Sequence, residues 1–289
     1  MNYEFEIHPR DILYFRDGRP LGGSSDGFGS AWPHPALFHS ALFGALQSRF
    51  SDQIGEWEST HKHLTPKEQA RQARGKGLQV RRNFGGLKTW GPFPKNGQGI
   101  FVPTPADLLA QGGVAAPMKF SANGANNLPK PLKYPVGNLS GATKEKPEAW
   151  ILLMELQRYL KGETENIETV SAGKLYLSEA RPGIGIDPGR RATAEHQFYS
   201  AEYLRLGKGV SMAAFASCVA KKYNGTETDV LEELFRQTGL CDLLFGGQRG
   251  TAQLERCREK SDLSAMDQKS FPGNRLNSFS KIICLNPWT

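Results

Sequence analysis

A glycine-rich stretch between a strand-like run and a helix-like run constrains this chain more than any other feature. Residues 16–35 read RDGRPLGGSSDGFGSAWPHP and contain five glycines. The apolar run DILYF (11–15) precedes this stretch, and PALFHSALFGALQ (35–47) begins at its last proline. Proline favours the first turn of a helix, and glycine lets the backbone bend and approach a ligand closely. The sequence therefore predicts a strand, an open loop and a helix in succession.

The glycine loop lacks the residues that grip a nucleotide. A phosphate-binding P-loop needs G-x-x-x-x-G-K-[ST], and the lysine is missing here, as is the dinucleotide fingerprint G-x-G-x-x-G. Open backbone N–H groups and serine hydroxyls can still bind a phosphate. With two arginines nearby, an RNA backbone fits better than a nucleotide, and a loop selected only for its turns is the alternative. The candidate residues are Arg16, Arg19, Gly22, Gly23, Ser24 and Ser25.

The segment from Lys62 to Lys95 is strongly basic, with nine basic residues and the single acid Glu68, in a chain of net charge +7. Its arginines include Arg81 and Arg82, and its aromatic residues are Phe84, Trp90 and Phe93. Single-stranded nucleic acid pairs its phosphates with such cations and stacks its bases on such rings. A solvated, flexible insert is the alternative interpretation.

Glycine and arginine occur together in two further loops. DPGRRA (187–192) is a turn-rich stretch between two extended arms, and it places Arg190 and Arg191 at the tip of a predicted long hairpin. GGQRG (246–250) repeats the pattern with Arg249. Arginine suits recognition of phosphodiesters because its planar guanidinium carries a fixed charge. The three loops together favour recognition of an RNA backbone.

Other function classes find little support. The acidic N-terminus does not resemble a signal peptide, and the longest apolar stretch, AWILLMELQRYL, is too short for a bilayer, so we expect a cytoplasmic protein with no membrane contact. The cysteines form no C-x-x-C pair, which argues against a zinc site and a disulfide framework; they are Cys218, Cys241, Cys257 and Cys284. We predict no metal, no cofactor and no catalytic residue.

Hydrophobic periodicity predicts strands and helices in mixed order. YEFEIHP, GIFVP, VSMAAFASCVA and the arms of LLFGGQRGTAQLE are typical of strands. Helices are expected at 35–49, 65–74, TPADLLA (104–110), EAWILLMELQRYLKG (148–162) and TDVLEELFRQTG (228–239), whereas GGLKTWGPFPKNGQ (85–98) suggests an irregular loop. This order favours an α+β architecture of two sheets with helices on one face of each. The Gly- and Pro-rich stretch 111–147 suggests domains at 1–147 and 148–289.

The run FEIHPRDILYFRDGRPLGGSSDGFGSAWPHPALFHSALFGAL (5–46) closely resembles the N-terminus of the family formed by the third subunit of the Cmr (type III-B) CRISPR effector complex, within the RAMP superfamily. FVPTPADLL, RPGIGIDPGRRATAEHQFYSAEYLRL and LLFGGQRG match later segments of the family in order. The resemblance implies two packed ferredoxin-like (RRM-like) domains. RAMP proteins usually carry a C-terminal glycine-rich loop in the second domain, and nothing after Arg249 supplies one. We therefore expect the second domain to lack that loop.

The resemblance also implies a function in antiviral defence without catalysis. Such a subunit holds the 5′ handle of the CRISPR RNA and docks the large polymerase/cyclase-like subunit against the backbone RAMP subunits. By analogy, residues 16–25 would contact the handle, and the 187–191 tip would reach along the guide or a neighbouring subunit. One alternative is a metal-independent RAMP endoribonuclease that processes CRISPR precursor RNA, with His34, His39 or His196 as general base. Another is a protein-interaction subunit in which the arginines are incidental.

Overall fold

The computed structural model describes residues 3–16, 30–57, 84–111, 114–120, 136–137, 145–163, 166–187, 189, 192–236 and 239–257. The expected helix at 65–74 lies outside these residues. Within the described part, no helix is both long and apolar enough to cross a membrane.

Antiparallel strands make up most of the described structure. In chain order they are β1 (Tyr3–Pro9), β2 (Lys88–Asn96), β3 (Gly99–Pro103), β4 (Leu108–Gln111), β5 (Val114–Pro117), β6 (Lys119–Phe120), β7 (Val136–Gly137), β8 (Trp150–Leu152), β9 (Tyr176–Asp187), β10 (Ala192–Leu206), β11 (Ser211–Ser217), β12 (Val219–Lys221), β13 (Glu227–Asp229), β14 (Leu240–Leu244) and β15 (Thr251–Arg256). The helices are α1 (Pro35–Arg49), α2 (Leu153–Leu160) and α3 (Val230–Phe235), with 3-10 helices at Ser51–Glu56 and Ala172–Lys174.

The main sheet has the strand order β14-β15-β1-β11-β2-β3-β8 among the described residues. β1 is an inner strand and pairs antiparallel with both β11 and β15. The sheet therefore contains strands from before and after residue 147, and the division at that residue stays a prediction. A mostly antiparallel sheet with few helices confirms the α+β class.

One face of the main sheet packs against α1. Phe5 and Ile7 alternate with polar residues along β1 and are fully buried, as period-2 patterning predicts. Phe38, Leu42 and Leu46 form the buried stripe of α1 and join the same core. Burying each such side chain stabilises the fold by about 1.5–3 kcal/mol, so α1 is fixed on the sheet by its apolar stripe.

The other face of the sheet packs against α2. Phe93, Val102 and Ile151 belong to this core together with Leu156 and Tyr159 of the helix. The Tyr159 hydroxyl donates a hydrogen bond to the Asp107 carboxylate at 2.6 Å, and burial together with that carboxylate raises the pKa of the tyrosine. The bond ties the helix to the turn before β4.

Three local predictions are wrong for identifiable reasons. Residues 85–98 are not an irregular loop, because Lys88–Asn96 pairs with β11 as strand β2. A Cβ at Gly91 would lie 2.8 Å from the Ala213 oxygen, so that glycine permits the close strand contact. The segment 104–110 ends in strand β4 because Leu108 and Ala110 are buried at period 2. The expected helix at 148–162 begins only at Leu153, after strand β8.

β9 and β10 form the long hairpin that the sequence predicts, here called the ribbon. The two strands pair from Tyr176 and Leu206 at the base to Asp187 and Ala192 near the tip. Their register shifts between Thr193 and Phe198. At about 3.3 Å per residue, the twelve residues of β9 span about 40 Å. The tip residues 190 and 191 lie outside the described part.

Candidate nucleic-acid interface

The turn between β14 and β15 has an unusual backbone. The amide of Gly250 donates to the oxygen of Gly247 at 3.0 Å, and the two residues between them, Gln248 and Arg249, have φ values of 52° and 60°. Two central residues with positive φ are typical of a type I′ hairpin turn, which normally uses asparagine and glycine. Side chains other than glycine cost about 1–2 kcal/mol per residue in this region. The chain thus keeps two large polar side chains at a costly position.

This turn packs directly on the segment that leads into the opening glycine loop. The amide of Gly247 donates a 2.7 Å hydrogen bond to the backbone oxygen of Tyr14. A Cβ at Gly246 would lie 2.8 Å from that same oxygen, and one at Gly247 would lie 2.9 Å from the Tyr14 ring. Phe15 and Phe245 pack edge to face at 5.3 Å beside this contact. Glycine at 246 and 247 is therefore required by the close approach.

The base of the ribbon joins the same place. Leu13 and Leu204 exchange two backbone hydrogen bonds of 2.9 and 2.7 Å. The Tyr203 ring lies 5.5 Å from the Tyr14 ring, and its hydroxyl donates to Oε1 of Gln248. Three segments that are distant in sequence therefore meet, and we call Leu13–Arg16, Tyr203–Leu204 and Phe245–Gly250 together the glycine junction.

Two of the predicted site residues lie in the glycine junction. Arg16 ends its first segment and Arg249 lies at the tip of its turn, and both residues are exposed. The ribbon leads from the junction towards Arg190 and Arg191. Arg190 and Arg191 lie outside the described part. So do the remaining predicted site residues, which are Arg19, Gly22, Gly23, Ser24, Ser25, Arg81 and Arg82.

The aromatic residues of the basic segment do not form a stacking surface. Phe84 is 1% exposed and Phe93 is 5% exposed, and Trp90 is half-buried against the core beneath α2. Lys95 lies 2.5 Å from Glu6 and 3.4 Å from Glu4, so its charge is paired within the sheet. Phe84 and Phe93 are core residues, so the stacking predicted for them is wrong, and Lys95 is paired because Lys88–Asn96 forms strand β2. Residues 62–83 of the segment lie outside the described part.

Two of the three candidate histidines, His34 and His39, have structural partners. His34 caps α1 through Nδ1, which accepts from the amide of Ala36 at 3.2 Å. His39 lies 3.2 Å from the Thr89 hydroxyl, and burial lowers its pKa. Burial also raises the pKa of the Cys218 thiol to about 12. Among the described residues, no group of three or more His, Cys, Asp or Glu side chains is arranged to hold a metal.

An ion-pair network on the ribbon was missed at the sequence level. Glu179 accepts a hydrogen bond from Arg205 Nε at 2.6 Å and from Arg181 Nε at 2.8 Å. These two hydrogen bonds hold the pKa of the Glu179 carboxyl below its usual range, and the bond from Arg205 contributes more than the bond from Arg181. The alternating spacing of Glu179 and Arg181 and of Tyr203 and Arg205 is the signal that could have shown them on one face.

Fold and site together describe an α+β protein whose antiparallel sheet carries a glycine junction and a long ribbon. A model of the family described as CRISPR-associated protein (Cas_Cmr3) matches residues 5–256. The chain belongs to this family, which confirms the resemblance found in its sequence. No curated protein matches the chain.

Several solved structures resemble the chain at low identity. One is a chain of the "Cryo-EM structure of the Type III-B Cmr-beta bound to cognate target RNA and AMPPnP, state 1", which is 17% identical with a TM-score of 0.43, and the match covers 90% of this chain and 64% of that chain. A second, "bound to cognate target RNA", is 16% identical with a TM-score of 0.43 and coverages of 90% and 65%. A third, from the "Apo state", is 10% identical with a TM-score of 0.38 and coverages of 90% and 98%. The chain spans less than two thirds of the length of the first two.

Proposed function

We propose that this protein is a non-catalytic RNA-binding scaffold subunit of a type III-B CRISPR effector complex in the cytoplasm. It holds the 5′ handle of the CRISPR RNA and docks the large polymerase/cyclase-like subunit against the backbone RAMP subunits, in RNA-guided antiviral defence. Membership of the Cas_Cmr3 family supports the CRISPR role. Two ferredoxin-like RAMP domains, at 1–147 and 148–289, are part of the same proposal.

The observation that carries the RNA-binding part is the glycine junction. The amide of Gly247 bonds Tyr14 at 2.7 Å, and this contact brings the Arg249 turn against the segment that ends at Arg16. A strand of RNA that contacts the opening loop would therefore meet a second arginine from a distant part of the chain. Fixed guanidinium charges beside open backbone suit the sugar-phosphate chain rather than a particular base.

The strained turn supports a role for its side chains. Gln248 and Arg249 occupy left-handed backbone that glycine or asparagine would adopt at lower cost. Gln248 accepts a hydrogen bond from Tyr203, whereas Arg249 is exposed. Strain that persists at an exposed position is typical of functional sites. We assign Arg249 to the phosphates of the handle.

The remaining contacts belong to the loops at the edge of the described part. Arg16 and Arg19 with the backbone of Gly22, Gly23, Ser24 and Ser25 would hold the handle. Arg190 and Arg191 at the ribbon tip would reach along the guide or a neighbouring subunit, and Arg81 and Arg82 would extend the basic surface. Each arginine that contacts a phosphate adds to the salt dependence of binding.

The experiment that tests the proposal measures the affinity of the purified protein for a labelled handle-bearing RNA between about 50 and 200 mM salt. We expect tight binding whose logarithm falls linearly with the logarithm of the salt concentration, with no RNA cleavage in the presence of a chelator. Affinity that does not change with salt, or cleavage that is lost in H39A, would contradict the proposal. An RNA of equal length without the handle is the control.

Docking of partner subunits is tested separately. Pull-down from the native cell, followed by sequencing of bound RNA, should recover short RNAs that share one 5′ end together with the large subunit. Recovery of the large subunit without RNA would favour the protein-interaction alternative and contradict the handle-binding role.

A further inference from the structure

One face of the ribbon base carries Arg181, an arginine that belongs neither to the opening glycine loop nor to the Arg249 turn. The strand pairing places Leu177 opposite Arg205, Glu179 opposite Tyr203, and Arg181 opposite Ala201. Directly paired residues of antiparallel strands project from the same face, so these side chains form one surface. This ribbon face adjoins the glycine junction through Tyr203.

Arg181 is held in a defined orientation. Its Nε donates to Glu179 at 2.8 Å, and its guanidinium carbon lies 5.8 Å from the centre of the Tyr203 ring. Tyr203 is fixed in turn by its hydroxyl bond to Gln248 and by the Tyr14 ring. Among the described residues, Nε is the only side-chain nitrogen of Arg181 with a hydrogen-bond partner, and 45% of the side chain is exposed.

The surroundings of Arg181 suit a flat, weakly polar ligand. Leu177 on the same face is 58% exposed and adds apolar surface to it. Glu179 and, through a longer-range interaction with Arg205, Asp11 balance the charges of Arg181 and Arg205, so this face carries little net charge. A guanidinium is planar and weakly hydrated, and nucleobases of single-stranded RNA stack on such planes.

We propose that the guanidinium plane of Arg181 is a stacking surface for one nucleobase of single-stranded RNA that leaves the glycine junction along the ribbon face. Glu179 and Tyr203 are positioning residues that hold the plane. This inference rests on the proposed RNA-binding function and adds a base contact to its backbone contacts. The ligand is an unpaired base rather than a duplex, because base pairing and stacking within a duplex hide the face that must contact Arg181.

The test is a double-mutant cycle between Arg181→Lys and single abasic substitutions along a handle-bearing guide RNA. Lysine keeps the charge and loses the plane. With the parent protein, we expect one abasic position to weaken binding about tenfold. With R181K that same abasic position should have no effect, and the salt dependence of the intact RNA should match that of the parent.

Arg158→Lys is a matched control. The Arg158 side chain is also 45% exposed and also bonds a carboxylate, Glu155, at 2.9 Å, but it lies on α2. R158K should retain the abasic penalty of the parent. Glu179→Gln is a second variant. It removes a negative charge, which by itself favours RNA binding, but it should reduce the abasic penalty because Arg181 loses its orientation.

The outcomes separate the two proposals. If the parent binds RNA with strong salt dependence but every abasic penalty is the same in R181K, the stacking contact is overturned and the proposed function stands. If every abasic penalty persists in R181K while Arg181→Gln, which removes the charge, lowers the salt dependence, Arg181 contacts a phosphate and the inference is wrong. If R181K leaves RNA binding unchanged and loses capture of a protein subunit, the ribbon face binds protein and the inference is again wrong. If the parent binds no RNA, both proposals fail.

Discussion

The amide of Gly247 donates a 2.7 Å hydrogen bond to the backbone oxygen of Tyr14, although the two residues are far apart in the chain. This bond links the segment that precedes the opening glycine loop to the turn that carries Arg249. Arg16, where the opening glycine stretch begins, and the Arg249 turn therefore belong to segments that contact each other.

Gly246→Ala should destabilise the fold by about 2–3 kcal/mol. Gly246 has φ +92°, and a Cβ there would lie 2.8 Å from the Tyr14 oxygen, so backbone atoms must move apart. Thermal or urea unfolding measures the effect. Gly44→Ala is the matched control, because Gly44 lies in α1 with nothing within 4 Å, and alanine there should stabilise the helix by up to about 1 kcal/mol. Equal stabilities of the two variants would contradict the close-contact account.

Arg249→Gly should raise stability while it weakens RNA binding. Glycine adopts the φ of 60° without strain, which should add about 0.5–1 kcal/mol to the free energy of unfolding after the entropy of glycine is counted. Loss of one phosphate contact should reduce the slope of log affinity against log salt by about 0.7. The two effects have opposite signs, so a variant that merely unfolds cannot imitate them. A stabilised variant with unchanged RNA affinity would remove Arg249 from the interface.

The Glu6–Lys95 pair should contribute to acid sensitivity. Burial opposes the ionised form of Glu6, but the hydrogen bond and charge of Lys95, the hydrogen bond from Ser211 and the nearby His8 together outweigh it and hold the pKa of the carboxyl below its usual range. Because the folded pKa is lowered, the stabilisation is complete above the unfolded value of about 4.3 and is lost as the pH falls through the folded value.

Glu6→Gln should therefore be less stable than the parent at neutral pH, by about 1 kcal/mol, and the difference should shrink as the medium becomes acidic. Chemical unfolding at a series of pH values measures it. A difference that grows on acidification would show that the sign assigned to Glu6 is wrong. Asp242→Asn, which alters an exposed pair with Arg10 at 2.7 Å, should change stability far less.

His39→Ala should leave any RNA processing unaffected. His39 is half-buried, and its Nδ1 lies 3.2 Å from the Thr89 hydroxyl, so its ring packs between α1 and β2 and lies outside the glycine junction. Incubation of labelled repeat RNA with parent and variant in chelator should give no cleavage in either case. Cleavage by the parent that H39A abolishes would establish the endoribonuclease alternative.

Sequence patterns predicted the elements whose signals are local. The alternation of Phe5 and Ile7 with polar residues predicted β1. Pro35 and the apolar repeat after it predicted a helix at 35–49, which are the bounds of α1. The glycine turn before β15 and the long hairpin were also correct. In each case the periodicity or the turn chemistry of a few neighbouring residues determines the structure.

Elements that depend on distant partners were not predictable in this way. Residues 88–96 contain glycine and two prolines, yet they form β2 because β11 lies beside them. Phe93 looks like a stacking ring in sequence and is a core residue in the structure. The meeting of Tyr14, Tyr203 and Gln248 depends on strand pairing across the whole chain, which no local pattern specifies.

Ultraviolet cross-linking of the protein to a handle-bearing RNA, followed by mass spectrometry of the linked peptides, tests the central claim most directly. We expect links in the glycine junction, within the peptides that contain Tyr14, Tyr203 and Arg249, and we expect R249G to weaken them. Links confined to other peptides, with the junction peptides recovered free of RNA, would contradict the account.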